Sequence, residues 1–206
     1  MLQSLQRWLM PIVFCAGLLP STVALANDTP DAMVRQASRQ VLDTLKKDDG
    51  KNSRQVRAEV EAIAIPKFDF KRMTALAVGR GWKEASSAQQ EELQVQFKTL
   101  LVRTYTSTMF RFRNAQVNVA SNPVISADGN EATVRSQVAM GDGKNVQVDY
   151  SLYKVAGEWK VYNVSVEGAS LVTVYRNNFN DIIRQSGVDG LIKSLKEKND
   201  AFIAKS

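Results

Sequence analysis

Apolar residues recur at helical spacing along the first part of the chain. Residues 31–47 place them three or four positions apart, and residues 53–63 and 68–78 repeat the pattern over shorter lengths. Residues 48–50 (Asp-Asp-Gly) end the first segment, and Pro66 breaks the second. Three helices are therefore predicted, and the first presents an apolar stripe of Met33, Val34, Ala37, Val41, Leu42 and Leu45.

The longest predicted helix begins at Ser86 or Ser87. Ser87 and Gln90 have the spacing of a capping box, in which the two side chains satisfy backbone groups at the start of a helix. The apolar stripe of this helix continues toward Met109 and Phe112, and it comprises Leu93, Phe97, Leu100, Leu101, Thr104 and Tyr105.

After Asn114 the pattern changes to strict alternation, which predicts β-strands. Four strands are expected, around residues 117–119, 132–140, 146–152 and 159–166, and the short turns between them favour an antiparallel meander. One face of these strands is apolar and carries no acidic or polar side chain that could act on a ligand: Val117, Val134, Val138, Val148, Tyr150, Leu152, Val164 and Val166. The other face is polar: Thr133, Arg135, Gln137, Gln147, Asp149 and Ser151.

Two helices are predicted to follow the sheet, at residues 171–185 and 188–202, with Gly187 between them. Gly168 indicates a tight turn out of the last strand, and Ser170 has the position of a helix N-cap. Helices, then a meander, then helices predict an α+β fold, in which a twisted four-stranded antiparallel sheet packs against about six helices.

The N-terminal 26 residues have the pattern of a secretory signal peptide. Arg7 is the only charge before Asp28, residues 8–19 are apolar, and Ala24 and Ala26 form an A-x-A cleavage site. The apolar run is shorter than a membrane span and contains a proline. We expect cleavage after Ala26 and one domain over residues 27–206. A lipoprotein signal at Cys15 is the alternative, although Phe14 is bulky where such signals have a small residue.

Cleavage would leave a domain with little catalytic chemistry. The chain contains no histidine and one cysteine, Cys15, which would be removed. A Ser-His-Asp triad and a thiolate nucleophile are then excluded, and the usual protein ligands of zinc are reduced to carboxylates. The expected net charge of +5 follows from the chain's 27 basic and 21 acidic residues after the loss of Arg7. Such an excess of basic residues is typical of proteins that bind membrane headgroups or an acidic partner, and it also occurs on an ordinary solvated surface. Export makes nucleic acid a poor candidate.

Two segments resemble the MlaC family, also called the toluene-tolerance family, of periplasmic phospholipid carriers. The first is PKFDFKRM at 66–73, followed by GRGWK at 79–83 and SAQQ at 87–90. The second is WKVYNV at 159–164 and EGASLV at 167–172, followed by Tyr175, Arg176 and Phe179. The chain departs from the family at Asn163, where Asp is usual, and at Ala169, where a β-branched residue is usual.

The resemblance implies a fold similar to that of nuclear transport factors, with a deep apolar pocket for the acyl tails. It also implies a periplasmic carrier without a cofactor. The sequence itself favours a soluble monomer, because no other apolar run is long enough to span a membrane and one small domain shows no obvious exposed apolar helix. Such a carrier moves lipid between an outer-membrane lipoprotein–porin complex and an inner-membrane ABC transporter complex, and so maintains outer-membrane lipid asymmetry in Gram-negative bacteria.

The predicted pocket wall combines the apolar strand face with the aromatic segment and the long helix. Each of these residues could instead pack into an ordinary core. The expected set is Phe68, Phe70, Met73, Leu76, Phe97, Leu100, Leu101, Tyr105, Val134, Val138, Val148, Tyr150, Leu152, Val164, Val166, Gly168 and Ala169.

The phospholipid headgroup is expected to stay outside the pocket, because burial of an unpaired phosphate is costly. The candidate headgroup contacts are the basic residues Lys67, Lys71, Arg72 and Arg176, which could equally be ordinary surface charges. Two other functions remain open at this point: an isomerase- or dehydratase-like enzyme on the same fold, and an interaction module with a solid core.

The carrier hypothesis makes a direct prediction about the pocket wall. Val148→Glu or Leu101→Glu should abolish lipid retention, because a carboxylate would replace apolar wall surface, while secretion remains intact. Extraction of lipid from the secreted variants measures this. Unchanged lipid content in a folded variant would contradict the placement of these residues in a pocket.

Overall fold

The computed structural model describes residues 29–140 and 143–203. The predicted signal peptide therefore lies outside the described residues, as does most of the expected turn at 141–143. None of the helices in the described ranges is long and apolar enough to cross a bilayer.

The described chain begins with helices, as the periodicity predicted. These are α1 (Pro30–Leu45), α2 (Ser53–Ala64), α3 (Phe70–Val78), α4 (Arg80–Glu84) and α5 (Ser87–Met109), with 3₁₀ turns at Ile65–Lys67 and Phe110–Phe112. The short α4 is an addition to the prediction, because its five residues are too few to show a period.

One predicted capping pair and one predicted helix start differ from those observed. The capping box is formed by Ser86 and Gln89, one residue earlier than expected, so α5 begins at Ser87. The third helix begins at Phe70 rather than Phe68, because Asp69 is its N-cap and accepts a hydrogen bond from the Arg72 backbone N–H at 2.9 Å. Phe68 is extended and bridges to Val161 of the sheet.

The α+β class is confirmed, but the sheet has six strands where four were predicted. They are β1 (Gln116–Val119), β2 (Val124–Ile125), β3 (Glu131–Ala139), β4 (Asn145–Val155), β5 (Glu158–Val166) and β6 (Ala169–Ser170). The two additional strands, β2 and β6, have two residues each, which is too short for alternation to reveal them.

All strand pairs are antiparallel, in the order β1-β3-β4-β5-β6. The β2 strand pairs with the other half of β3, at Thr133 and Ala132. A bulge between Ser151 and Leu152 shifts the β4–β5 register and leaves Tyr162 unpaired. Bulges increase twist, so this one helps the sheet to curve against the helices.

The described part of the chain ends in α6 (Leu171–Ile203), which Gly187 divides into two helical halves as predicted. Gly187 has φ 67° and ψ −172°, a conformation that is open only to glycine. Both halves of α6 pack with the preceding helices around a core that contains Phe97, Phe179 and Leu191.

The hydrophobic interior consists of three clusters rather than one. The first, called the helix core, lies between α3, α5 and α6 and includes Met73, Leu93 and Phe97. The second, called the sheet core, lies between α1 and the sheet, around Leu152 and Trp159. A smaller third cluster joins α1, α2 and the end of α5. The space between the three clusters is where the fold departs from solid packing.

The β4–β5 turn offers a test of the hairpin geometry. Ala156 has φ 50°, which is left-handed and unfavourable for alanine, whereas asparagine is favoured at this position of a two-residue hairpin turn. We expect Ala156→Asn to raise Tm by about 1–4 °C. Thermal unfolding followed by circular dichroism measures this, and Ala127→Asn, at an exposed alanine with negative φ, is the control. A lower Tm for Ala156→Asn would contradict the assigned turn.

Candidate functional site

A cavity of about 670 Å³ lies between the concave face of the sheet and helices α1, α2, α3 and α5. Its volume falls within the range of pockets that enclose small-molecule ligands, roughly 300–1,000 Å³. Its wall is mostly aliphatic and aromatic, and the polar side chains that reach it are Ser38, Glu61, Lys67, Tyr105, Thr106, Thr108 and Tyr150.

The sheet wall consists of residues paired across neighbouring strands. Tyr150 pairs with Val164, Val148 pairs with Val166, and Val138 pairs with Val146. Because side chains alternate along a strand, these residues share one face of the sheet. Valine is too small to fill the space beneath it, which is how the sheet provides a wall without filling the cavity.

One polar residue on this face was missed by the prediction that the face carries none. Ser136 is buried, and its hydroxyl donates a hydrogen bond of 2.8 Å to the Val148 carbonyl. The phenol of Tyr150 lies beside Ser136 and Ser38, and burial raises its pKa despite those hydrogen bonds. Burial likewise raises the pKa of Tyr105. Both phenols are therefore neutral at physiological pH, and the wall carries no charge at these positions.

Eleven of the predicted pocket residues line this cavity. They come from the aromatic segment, α3, α5 and the sheet: Phe68, Phe70, Met73, Leu101, Tyr105, Val138, Val148, Tyr150, Val164, Val166 and Ala169.

Six predicted pocket residues lie elsewhere. Phe97 and Leu100 are buried in the helix core, and Leu76 packs against it. Val134 and Leu152 are fully buried in the sheet core beside the cavity. Gly168 is exposed in the turn after β5. Helical spacing shows which side of α5 faces inward, but it does not separate residues that touch a neighbouring helix from residues that face a void.

The largest part of the wall that the prediction missed comes from α1, α2 and the end of α5. The apolar stripes of these helices were visible in the sequence. No sequence feature indicated that α1 and α2 cover the concave face of the sheet. These additional residues are Met33, Val34, Ala37, Val41, Leu42, Leu45, Val60, Ala64, Ile65, Val102, Met109 and Phe112.

Of the four candidate headgroup cations, only Lys67 lies in the cavity wall. Arg72 points away from the cavity: its guanidinium lies 2.5 Å from Glu131 Oε1 and stacks on Tyr153 and Tyr162, with its carbon 4.1 and 4.2 Å from the ring centroids. These contacts hold α3 against the sheet.

The other two candidate cations are also placed outside the cavity wall. Arg176 Nε donates a 2.7 Å hydrogen bond to the Leu76 carbonyl, which ties α6 to α3. Lys71 is exposed. A structural role thus accounts for Arg72 and Arg176 within the described part of the chain.

The cavity opens at an apolar rim. Tyr105, Val166 and Val174 line it and are among the most exposed large hydrophobic residues described, with 36%, 46% and 49% of their surface accessible. Such exposure is unfavourable in water unless a ligand or partner covers it. Among the described residues no group of acidic, cysteine or histidine side chains could hold a metal ion.

The family model described as MlaC protein matches residues 35–197, which is most of the chain and nearly all of the described fold. The chain belongs to the MlaC family. The prediction of this family from its two sequence segments is confirmed.

Three relatives extend the MlaC comparison. Toluene tolerance protein ttg2D of Pseudomonas putida is 26% identical over 193 residues, 92% of this chain and 87% of that protein. The intermembrane phospholipid transport system binding protein MlaC of Haemophilus influenzae is 21% identical over 200 residues, 94% of this chain and 93% of that protein. The solved structure of a phospholipid-binding protein from Ralstonia solanacearum, in complex with a phospholipid, is 37% identical, with a TM-score of 0.75, and covers 84% of this chain and 98% of its own.

The second MlaC-like segment forms the start of α6 at the cavity rim. Ser170 Oγ accepts a 3.2 Å hydrogen bond from the Thr173 backbone N–H, as expected of an N-cap. Asn163 Oδ1 accepts hydrogen bonds from Ser170 Oγ at 3.0 Å and from the Val172 N–H at 3.3 Å. Asn163 therefore accepts both hydrogen bonds at the start of α6 with a neutral amide oxygen.

This geometry predicts the effect of introducing a negative charge at position 163. Asn163→Asp would place a carboxylate at the N-terminus of α6, where the helix dipole favours negative charge, and we expect about 0.3–1 kcal/mol of added stability at pH 7. The same contact lowers the folded-state pKa of the new carboxyl. The gain is therefore present above the unfolded pKa of about 3.9 and is lost as pH falls through the folded-state pKa.

Denaturant unfolding at pH 7 and at acidic pH measures this difference. Asn163→Ala, which removes the acceptor, should be less stable than the parent by about 1 kcal/mol. A destabilised Asn163→Asp variant at pH 7 would contradict the assigned capping role.

Proposed function

We propose that this MlaC-family protein is a periplasmic carrier that binds a phospholipid, with the acyl tails in the cavity and the headgroup outside. The observation that supports this most strongly is an apolar cavity of about 670 Å³ that opens at an apolar rim. The phospholipid held by the Ralstonia solanacearum relative, at 37% identity, supports the same ligand class.

The energetics of lipid transfer explain why a carrier needs this form. Two tails of roughly 15 methylenes each would cost ~24 kcal/mol to expose to water, at about 0.8 kcal/mol per methylene. A carrier must offer an equally apolar environment and then release the lipid. A carrier needs apolar walls and an opening, and it needs no catalytic group. We therefore propose that this protein is not an enzyme.

The headgroup is proposed to lie at the rim, in water. Lys67 is the preferred candidate contact, because its side chain reaches the cavity wall and it is partly exposed. An ammonium at this position can pair with a phosphate without being fully desolvated. Lys71, which is exposed, stays a secondary candidate.

The proposed route of the lipid follows from the family. The carrier would be exported by a cleaved signal peptide and would move lipid, as a monomer, between an outer-membrane lipoprotein–porin complex and an inner-membrane ABC transporter complex. Such transport would maintain the lipid asymmetry of the outer membrane. The name of the Haemophilus influenzae relative, which refers to intermembrane phospholipid transport, supports this route.

Uptake of lipid from vesicles tests the carrier proposal. Val148 is the better of the two wall positions to change. Leu101 lines the cavity too, but it is only 4% exposed and belongs to the helix core, so that a charge there endangers folding. We expect Val148→Glu to reduce uptake of fluorescent phospholipid from vesicles at least tenfold, since an unpaired carboxylate would sit in the apolar wall.

The matched control is Gln137→Glu, which adds the same charge to an exposed, outward-facing position on the neighbouring strand. Its uptake should equal that of the parent, and circular dichroism should show both variants folded. A folded Val148→Glu protein with parental uptake would contradict the cavity as the lipid site.

A further inference from the structure

The turn that follows β5 at the cavity rim has an unusual backbone conformation. Glu167 has φ 49° and Gly168 has φ 79°, so these two residues form the tight turn between β5 and β6. A left-handed backbone is natural for glycine but unfavourable for glutamate. Glycine or asparagine would be the expected residue, so the glutamate side chain must contribute something else.

The Glu167 carboxylate takes over a hydrogen bond of the sheet. The backbone N–H of Glu167 donates to the Gln147 carbonyl at 3.0 Å, which continues the β4–β5 ladder past the Val148–Val166 pair. In a regular ladder the Gln147 N–H would donate back to the backbone carbonyl of its partner. Here it donates to Oε1 of the Glu167 side chain. The carboxylate therefore supplies a hydrogen-bond acceptor for the Gln147 N–H of β4, at the point where the β5 backbone has already turned away.

This contact lies at the part of the fold that borders the cavity opening. Val166 and Ala169 flank the turn, both line the cavity, and Val166 is 46% exposed. The β6 strand pairs with β5 through two residues, Ser170 and Ala169. Past Val166, the described structure thus connects the rim turn to β4 through the hydrogen bonds between Glu167 and Gln147.

We propose that Glu167 is a positioning residue of the cavity rim, which holds Val166 and Ala169 against β4 and so limits the rate at which bound phospholipid leaves. The proposal rests on the carrier function proposed above. It assigns Glu167 no contact with the lipid: the residue acts through the turn that it fixes. A hydrogen bond to a carboxylate is stronger than one to a neutral acceptor, which suits a contact that must hold an exposed turn.

The first test is hydrogen exchange of the Gln147 amide. Glu167→Ala removes the acceptor and should lower the protection of this amide about tenfold. Glu167→Gln retains an acceptor oxygen and should keep most of the protection. Because this measurement needs no lipid, it tests the contact independently of the carrier function. Unchanged protection in Glu167→Ala would overturn the proposal.

The second test is the rate at which a fluorescent phosphatidylethanolamine moves from the loaded protein to vesicles of unlabelled phosphatidylethanolamine and phosphatidylglycerol. Glu167→Ala should release it at least about threefold faster, and Glu167→Gln should restore a rate near that of the parent. Glu158→Ala, at the exposed opposite end of the same strand, removes a carboxylate paired with Lys160 and should leave the rate unchanged.

A third variant separates positioning from stability. Glu167→Gly relieves the backbone strain and also removes the carboxylate, so it should be more stable than Glu167→Ala and yet release lipid as fast. A release rate that follows stability across the series, or a parental rate in Glu167→Ala, would overturn the proposal. A parent protein that takes up no phospholipid would contradict the carrier function itself, and the loading step shows this before any variant is compared.

Discussion

The cavity depends on solid packing on either side of it, which keeps the sheet and the helices from closing on one another. On one side, Phe97 packs edge-on against Tyr175 and Phe179, with ring centroids 4.9 and 5.1 Å away. On the other side, α1 meets the sheet around Leu152 and Trp159. Between these contacts Tyr150 and valines of the sheet, among them Val148 and Val166, line the cavity.

This arrangement has a thermodynamic consequence. A dry void of 670 Å³ would cost on the order of 16 kcal/mol at about 24 cal/mol per Å³, which is as large as the whole stability of a typical domain. The fold can therefore keep such a space only if it is open to water or filled by an apolar molecule. An opening lined by Tyr105, Val166 and Val174 allows both, and the acyl tails of the proposed cargo would cover this apolar wall.

Much of this fold could be predicted from the sequence, because its signals are local. The two-residue period gave the four longer strands and their apolar face, and Gly187 marked the break in α6. The cavity itself could not be predicted, because a void depends on the distance between layers. Phe97 and Leu101 lie on the same helical stripe, yet one is surrounded by aromatic rings and the other borders the cavity. The position of Arg72 outside the cavity wall could not be predicted for a similar reason: its partners, Glu131 and two tyrosines, lie on strands that are distant in sequence.

The measurement that tests the carrier account most directly is native mass spectrometry of the protein purified from the periplasm without detergent, followed by lipid extraction. The account predicts a stoichiometric adduct with the mass of a phospholipid on a chain that begins at residue 27. A bare protein mass from a sample shown to be folded would contradict it.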